Sequence, residues 1–338
     1  MIPRTALTLH TGWQEELRHL ITSTDELFAL LALDTKALPS AIEASRHFPI
    51  RVPRAYAARI RKGDPNDPLL LQVLPLGAEL IHVDGFTNDP VGDMKANVIP
   101  GLLHKYEGRV LLITSGSCAI NCRYCFRRDF AYEDNNPGRL AWEQALTYIR
   151  QDSSISEVIL SGGDPLVSSN KQLAWLIDGV STIPHIARLR IHTRLPIVIP
   201  SRVDEALLSI LAGTRLPTAF VIHCNHAQEI DAHVFDCLQA LKQIPSVTLL
   251  NQSVLLKGVN DTAQTLIDLS QALFKAGVLP YYLHMLDKAK GTAHFAVSDQ
   301  HATTLMQTLL TKLPGYLIPK LVREEAGHAY KTPFIPNS

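Results

Sequence analysis

Residues 109–128 read RVLLITSGSCAINCRYCFRR. After Arg109 the next five are aliphatic or β-branched, which predicts a buried strand over 109–114. The chain then turns through Ser and Gly into three cysteines, Cys118, Cys122 and Cys125, spaced C-x3-C-x2-C. A strand that ends in a loop of thiols presents them at the rim of a sheet. Cysteine thiolates hold iron–sulfur clusters, and three of them leave one iron of a four-iron cubane without a protein ligand. That open iron can bind a small molecule and pass it an electron. The competing reading is three buried cysteines acting as small hydrophobes. The Arg and Asn residues between them oppose it, because such residues are rarely core. Arg123, Arg127 and Arg128 would place positive charge beside an anionic cluster, although Arg123 reads equally well as a solvated surface residue.

From this strand onward the pattern alternates. Strands are predicted at 109–114, 157–160, 189–193, 219–223, 247–250 and 281–285. Helices are predicted at 140–150, 172–180, 205–211, 234–241, 264–276 and 301–313. Alternation of this kind implies parallel strand–helix–strand units with right-handed crossovers. Six such units suggest a curved, incomplete α/β barrel. The ends of the strands carry the polar residues: the cysteine loop, Gly162-Gly163-Asp164, His192, His223, Asn251-Gln252 and Asp287. In α/β barrels the site lies at the C-terminal rim of the strands, so these residues are expected to converge on one mouth. Residues 1–95 read as helices joined by polar breaks, with no catalytic constellation. They are expected to form a helical appendage that packs on the 96–338 core or makes an oligomer contact.

The whole composition narrows the class. The chain has 338 residues, 46% of them hydrophobic, enough for a sizeable core. Lys plus Arg and Asp plus Glu number 32 each, so no global field favours nucleic acid or an anionic membrane. No apolar run is long enough to span a bilayer, and residues 1–17 lack the regions of a secretory signal. A cytoplasmic location is expected. Five cysteines, an odd number with three clustered, argue against a disulfide scaffold and for metal chemistry. Cys224 and Cys237 stand apart and read as buried small hydrophobes. No dinucleotide-binding glycine motif, Walker A motif or H-E-x-x-H is present.

The cysteine spacing resembles the signature of the radical S-adenosylmethionine (SAM) enzymes. Ser161-Gly162-Gly163-Asp164-Pro165 resembles the glycine-rich element of that superfamily, which contacts the amino group of SAM. A narrower resemblance rests on pieces that occur in order: PGLLHKY (100–106), NCRYCFRR (121–128), SGGDPL (161–166), RLRIHTRLPIVIP (188–200), LLNQSVLLKGVND (249–261), YYLHMLDKAKGTAHF (281–295) and Lys331-Thr332-Pro333. From about residue 50 to 335 this order is similar to the lysine 2,3-aminomutase family. It is most similar to the short bacterial members that supply (R)-β-lysine for elongation factor P.

The resemblance implies a partial (β/α)6 radical SAM barrel with a helical N-terminal extension. It also implies three cofactors: a [4Fe–4S] cluster, SAM and pyridoxal 5′-phosphate (PLP). Cys118, Cys122 and Cys125 would ligate the cluster, and Gly162, Gly163 and Asp164 would contact SAM. Lys331 would hold PLP through its amine. Arg127 would clamp the substrate carboxylate with its planar fork, while Asp287 and Glu324 would receive the distal ammonium of lysine. The implied reaction is abstraction of hydrogen from Cβ by a 5′-deoxyadenosyl radical, followed by migration of the amino group from Cα to Cβ. Implied partners are free lysine, an electron donor such as flavodoxin or ferredoxin, a lysyl-tRNA synthetase-like ligase and elongation factor P. An assembly of identical chains is expected.

This sequence departs from the longer family members at three points. Gly327-His328-Ala329-Tyr330 stands where they carry a glycine run, and Glu324 stands in place of an aspartate. The cysteines that hold zinc in the longer enzymes are missing before Ser338, so their zinc-linked assembly is not expected. Other readings are a 2,3-aminomutase for glutamate, a non-catalytic iron–sulfur electron carrier, and a radical enzyme acting on a protein lysine.

Overall fold

The computed structural model describes residues 12–132, 135 and 138–334. Ten strands form one sheet in sequence order. They are β1 (Asn97–Ile99), β2 (Leu102–Tyr106), β3 (Arg109–Ser115), β4 (Glu157–Gly162), β5 (Arg188–Thr193), β6 (Thr218–His223), β7 (Val247–Val254), β8 (Leu279–His284), β9 (Lys320–Arg323) and β10 (Thr332–Pro333). β3 to β9 run parallel, each beside the next. β1 and β2 add antiparallel strands at one edge and β10 at the other. A sheet wound in one direction, with a helix after each of β3 to β8, is the incomplete α/β barrel expected from the sequence.

The helices follow from apolar periodicity and capping. Those at Arg139–Gln151, Asn170–Ser181, Glu205–Gly213, Ala232–Lys242, Ala263–Lys275 and Asp299–Lys312 match the six predicted. Ser169, Asp204, Asp231, Thr262 and Ser298 accept backbone N–H groups at five of their N-termini, each cap contributing about 1 kcal/mol. β4 is buried at all six positions, as a parallel strand covered on both faces must be.

Both edges of the sheet, β1–β2 and β9–β10, escaped prediction. β9 is only four residues long and no helix follows it, so it lacks the strand–helix alternation. The β1–β2 hairpin is short and antiparallel.

The N-terminal region contributes helices at Trp13–Arg18, Thr24–Leu31 and Leu38–His47; residues 1–11 lie outside the described part. Leu27, Leu31, Val52, Leu69 and Leu70 are buried in the same apolar cluster as Leu102, Val110, Leu112 and Val158 of the sheet. Burying each such side chain stabilises the fold by about 1.5–3 kcal/mol. The segment after these helices runs across the mouth, where Thr87 pairs with the loop after β8 through Lys288 and Lys290. No helix among the described residues is long and apolar enough to cross a membrane.

Candidate active site

The cysteine loop leaves β3 and folds back against the end of β4. The contact is so close that only glycine fits. A Cβ on Gly163 would sit 2.2 Å from the carbonyl oxygen of Ser117, and one on Gly162 would sit 2.7 Å from that of Ser115. Gly162 also has φ +121°, which L side chains rarely adopt. The Gly163 and Asp164 N–H groups donate to the Ser115 and Ser117 carbonyls at 2.7 and 3.0 Å. The glycines of SGGDP thus lock the loop that carries the thiols.

Cys118, Cys122 and Cys125 are free and half-buried. Burial first, then the neighbouring thiols, push Cys118 well above the ordinary range and Cys125 up to about 11. Thiols gathered on one loop, two of them held protonated, are a donor set suited to a cationic iron centre, which deprotonates its thiol ligands. Three sulfurs on one short loop, ringed by arginines, fit a cluster with one open iron.

Two acidic residues of the N-terminal region hold those arginines. Arg123 is fully buried, not solvated. It donates to both oxygens of Glu79 at 2.8 and 2.5 Å and to the Phe48 carbonyl at 2.7 Å. Arg128 reaches the same carboxylate at 3.0 Å. Arg127 is also buried. Its Nε donates to Asp93 Oδ2 at 2.7 Å and its Nη1 to Ser161 Oγ at 3.3 Å.

On the opposite side, β9 and β10 form a hairpin in which Thr332 lies opposite Arg323. That register sets Lys331 opposite Glu324, and the two form an ion pair. Glu324 also accepts from Lys105 Nζ at 3.0 Å, and Lys105 reaches Asp93 at 2.7 Å. Burial works against ionisation of Glu324, but Lys331 and Lys105 hold its carboxyl well below the usual range. Glu325 faces elsewhere and accepts from the Thr332 hydroxyl at 2.5 Å. A charge chain therefore runs Arg127, Asp93, Lys105, Glu324, Lys331, from the cysteine loop to the C-terminal hairpin.

Asp287 follows β8 and feels the same field. Burial and then Glu324 push its carboxyl up to about 7, against the pull of Lys331 and Lys105. His284, the last residue of β8, is held down to about 3 by burial and then Lys331. His192 is also held neutral, by burial and then Arg190.

Two residues expected at the mouth have their side chains engaged within the protein. Asp164 offers no free carboxylate to a ligand. Its oxygens accept from Leu166 N at 3.0 Å, Thr193 Oγ1 at 2.7 Å, Arg194 N at 2.6 Å and Leu195 N at 3.2 Å. It ties the β4 loop to the β5 loop. Asn251 likewise turns inward, bonding both backbone groups of Cys224 at 3.0 Å. Sequence reasoning missed Glu79, Asp93 and Lys105, and also Arg194, Glu229 and Gln72. For Arg194 a signal existed: it closes the HTR at the end of β5, on the rim where the site was expected.

A family profile described as a 4Fe-4S single cluster domain matches residues 106–185. L-lysine 2,3-aminomutase of Escherichia coli (strain K12) is 49% identical over 332 residues, covering 97% of this chain and 96% of that protein. The enzyme of the same name from Haemophilus influenzae is 48% identical, covering 95% of each. This chain belongs to the L-lysine 2,3-aminomutase family. L-lysine 2,3-aminomutase of Clostridium subterminale is 32% identical over 96% of this chain and 78% of that one. A solved radical SAM methyltransferase from Sphaerobacter thermophilus matches with a TM-score of 0.44 at 14% identity, over 66% of this chain and 68% of that one. Membership makes the chain an isomerase with the family's cofactors, a [4Fe–4S] cluster, SAM and PLP.

Proposed function

We propose that this enzyme moves the α-amino group of free L-lysine to Cβ, giving (R)-β-lysine. The observation that carries the reading is the placement of Arg127 at one end of the charge chain and of Glu324 and Asp287 at the other, beside Lys331. Cys118, Cys122 and Cys125 would hold the cluster, the backbone at Gly162 and Gly163 would border SAM, and Lys331 would hold PLP. When bound, the cluster with SAM supplies a hydrogen-abstracting radical, and PLP supplies an electron sink for amino migration.

The protein's share is binding and orientation. Asp93 and Ser161 engage two of the three guanidinium nitrogens of Arg127. A fork fixed in this way can take a substrate carboxylate with the remaining donors at little entropic cost. At the other end Glu324 and Asp287 face Lys105 and Lys331. While Lys331 holds PLP it carries no ammonium charge, so two carboxylates face one cation there. The distal ammonium of lysine restores the balance, whereas a distal carboxylate would add a third negative charge in a desolvated site. Binding of that ammonium favours the ionised form of Asp287.

The deciding experiment compares lysine and glutamate as substrates for the anaerobically reconstituted enzyme. Lysine is expected to isomerise faster; faster isomerisation of glutamate sinks the reading. We place the reaction in the cytoplasm, in a homo-oligomer reduced by flavodoxin or ferredoxin. Its product would pass to a lysyl-tRNA synthetase-like ligase that modifies elongation factor P, a role supported by the likeness to the short bacterial members. In this reading residues 1–95 are a helical N-terminal region on the 96–338 core.

A further inference from the structure

The three cysteines are not equivalent. Cys122 Sγ accepts a hydrogen bond from Arg194 Nη1 at 2.7 Å. Arg194 follows β5 and is buried. Its Nη1 also donates to Tyr124 Oη at 2.7 Å. Its Nη2 donates to Gln72 Oε1 at 2.7 Å and to Glu229 Oε2 at 3.0 Å. The guanidinium lies over the rings of Tyr56 and Tyr124, 5.5 and 5.8 Å from their centroids.

Glu229 is itself fixed. Its Oε1 accepts from the Asn225 and His226 N–H groups at 2.9 and 3.1 Å. Gln72 and Glu229 are both 0% exposed, so the arrangement is dry and rigid. Tyr124 is braced by Asn225 Nδ2 at 2.7 Å and His223 Nε2 at 2.8 Å. Glu229 aims one guanidinium at one sulfur, and neither residue belongs to the substrate end of the mouth.

We propose that Arg194 is a positioning residue for the cluster that raises its reduction potential through Cys122, with Glu229 behind it as the opposing charge. Hydrogen bonds and charge at cluster sulfurs set the potential. A cation donating to a thiolate sulfur stabilises the form carrying the added electron, and a carboxylate behind that cation weakens the effect. The couple concerned is the one-electron reduction of the cluster by a low-potential donor, with no group transferred. The inference rests on the family reading, because it needs the cluster to bind.

The test is an anaerobic redox titration of the full-length reconstituted protein, followed by the electron paramagnetic resonance signal of the reduced cluster. Two variants carry opposite expectations. Arg194→Gln removes the cation and shifts the midpoint negative by about tenfold in the one-electron equilibrium constant, about 59 mV. Glu229→Gln removes the opposing charge and shifts it positive. General damage to the loop would not split the two in sign. Iron and sulfide content of each protein separates this test from the family reading, since a wild-type protein that binds no cluster overturns that reading instead. If Arg194→Gln does not load, Glu229→Gln decides: a positive shift supports the proposal. An unchanged midpoint in loaded variants, or shifts of the same sign in both, overturns it.

Discussion

The two sides of the mouth are built to different standards. The cysteine loop is gripped by residues far away in sequence. Glu79 binds two of its arginines, Asp93 binds the third, and two glycines press it against β4 with no room for a Cβ. The hairpin that carries Lys331 hangs on the short β9–β10 ladder, and residues 326–330 in its turn are exposed. Its inward hold is one ion pair and, through Glu324, Lys105. The contrast fits the chemistry each side is assigned. A radical source must keep its geometry through every turnover. A lysine that holds a cofactor must release it to the substrate and take it back.

The largest expected effect is on the light side. Lys331→Ala should abolish amino migration and the borohydride-trapped PLP adduct, while iron and sulfide content stay near wild type. Peptide mapping of the reduced protein checks this, and label at another lysine would break the assignment. On the heavy side, Glu79→Ala leaves Arg123 and Arg128 as unpaired buried cations. Removing one partner of a buried pair costs about 3–5 kcal/mol, so urea unfolding should show a loss of that size. Gly163→Ala should fold less stably and lose cluster content, because its Cβ cannot avoid the Ser117 carbonyl. By contrast, Tyr330→Ala in the exposed turn should change stability by less than about 0.5 kcal/mol.

Asp287 sharpens the comparison through pH. Its carboxyl is raised to about 7, so the folded protein disfavours the charged form. The penalty is absent below the ordinary aspartate range, grows as pH rises, and is fully present above about 7. Asp287→Asn should therefore be more stable than wild type at pH 8, by about 1–2 kcal/mol after allowance for solvent. The same variant should bind lysine about tenfold more weakly, the loss expected for one charged hydrogen bond. The KM of the wild type should fall as pH rises through about 7, and that step should be missing in the variant. Equal pH profiles would remove Asp287 from lysine recognition.

The strand–helix alternation made the barrel legible, because aliphatic runs and amphipathic helices are local signals. β9, with four residues and no helix, gave no such signal. The cysteines and the adjacent Arg127 were legible from spacing and resemblance. Their supports were not. Glu79 and Asp93 look like ordinary loop acids until the fold brings them 44 and 34 residues along the chain to Arg123 and Arg127. At Asp164 the sequence hides a structural tie. A carboxylate beside two glycines looks like a ligand contact, yet its lone pairs are used to join two loops. Glu324 and Glu325 could not be told apart by sequence, and the β9–β10 register separates them.

The most direct test of the central claim is chiral analysis of the product formed when the reconstituted enzyme is incubated anaerobically with L-lysine, SAM, PLP and a reductant. The expected product is (R)-β-lysine, with the nitrogen on Cβ. Lysine recovered unchanged under conditions where another amino acid is isomerised would contradict it.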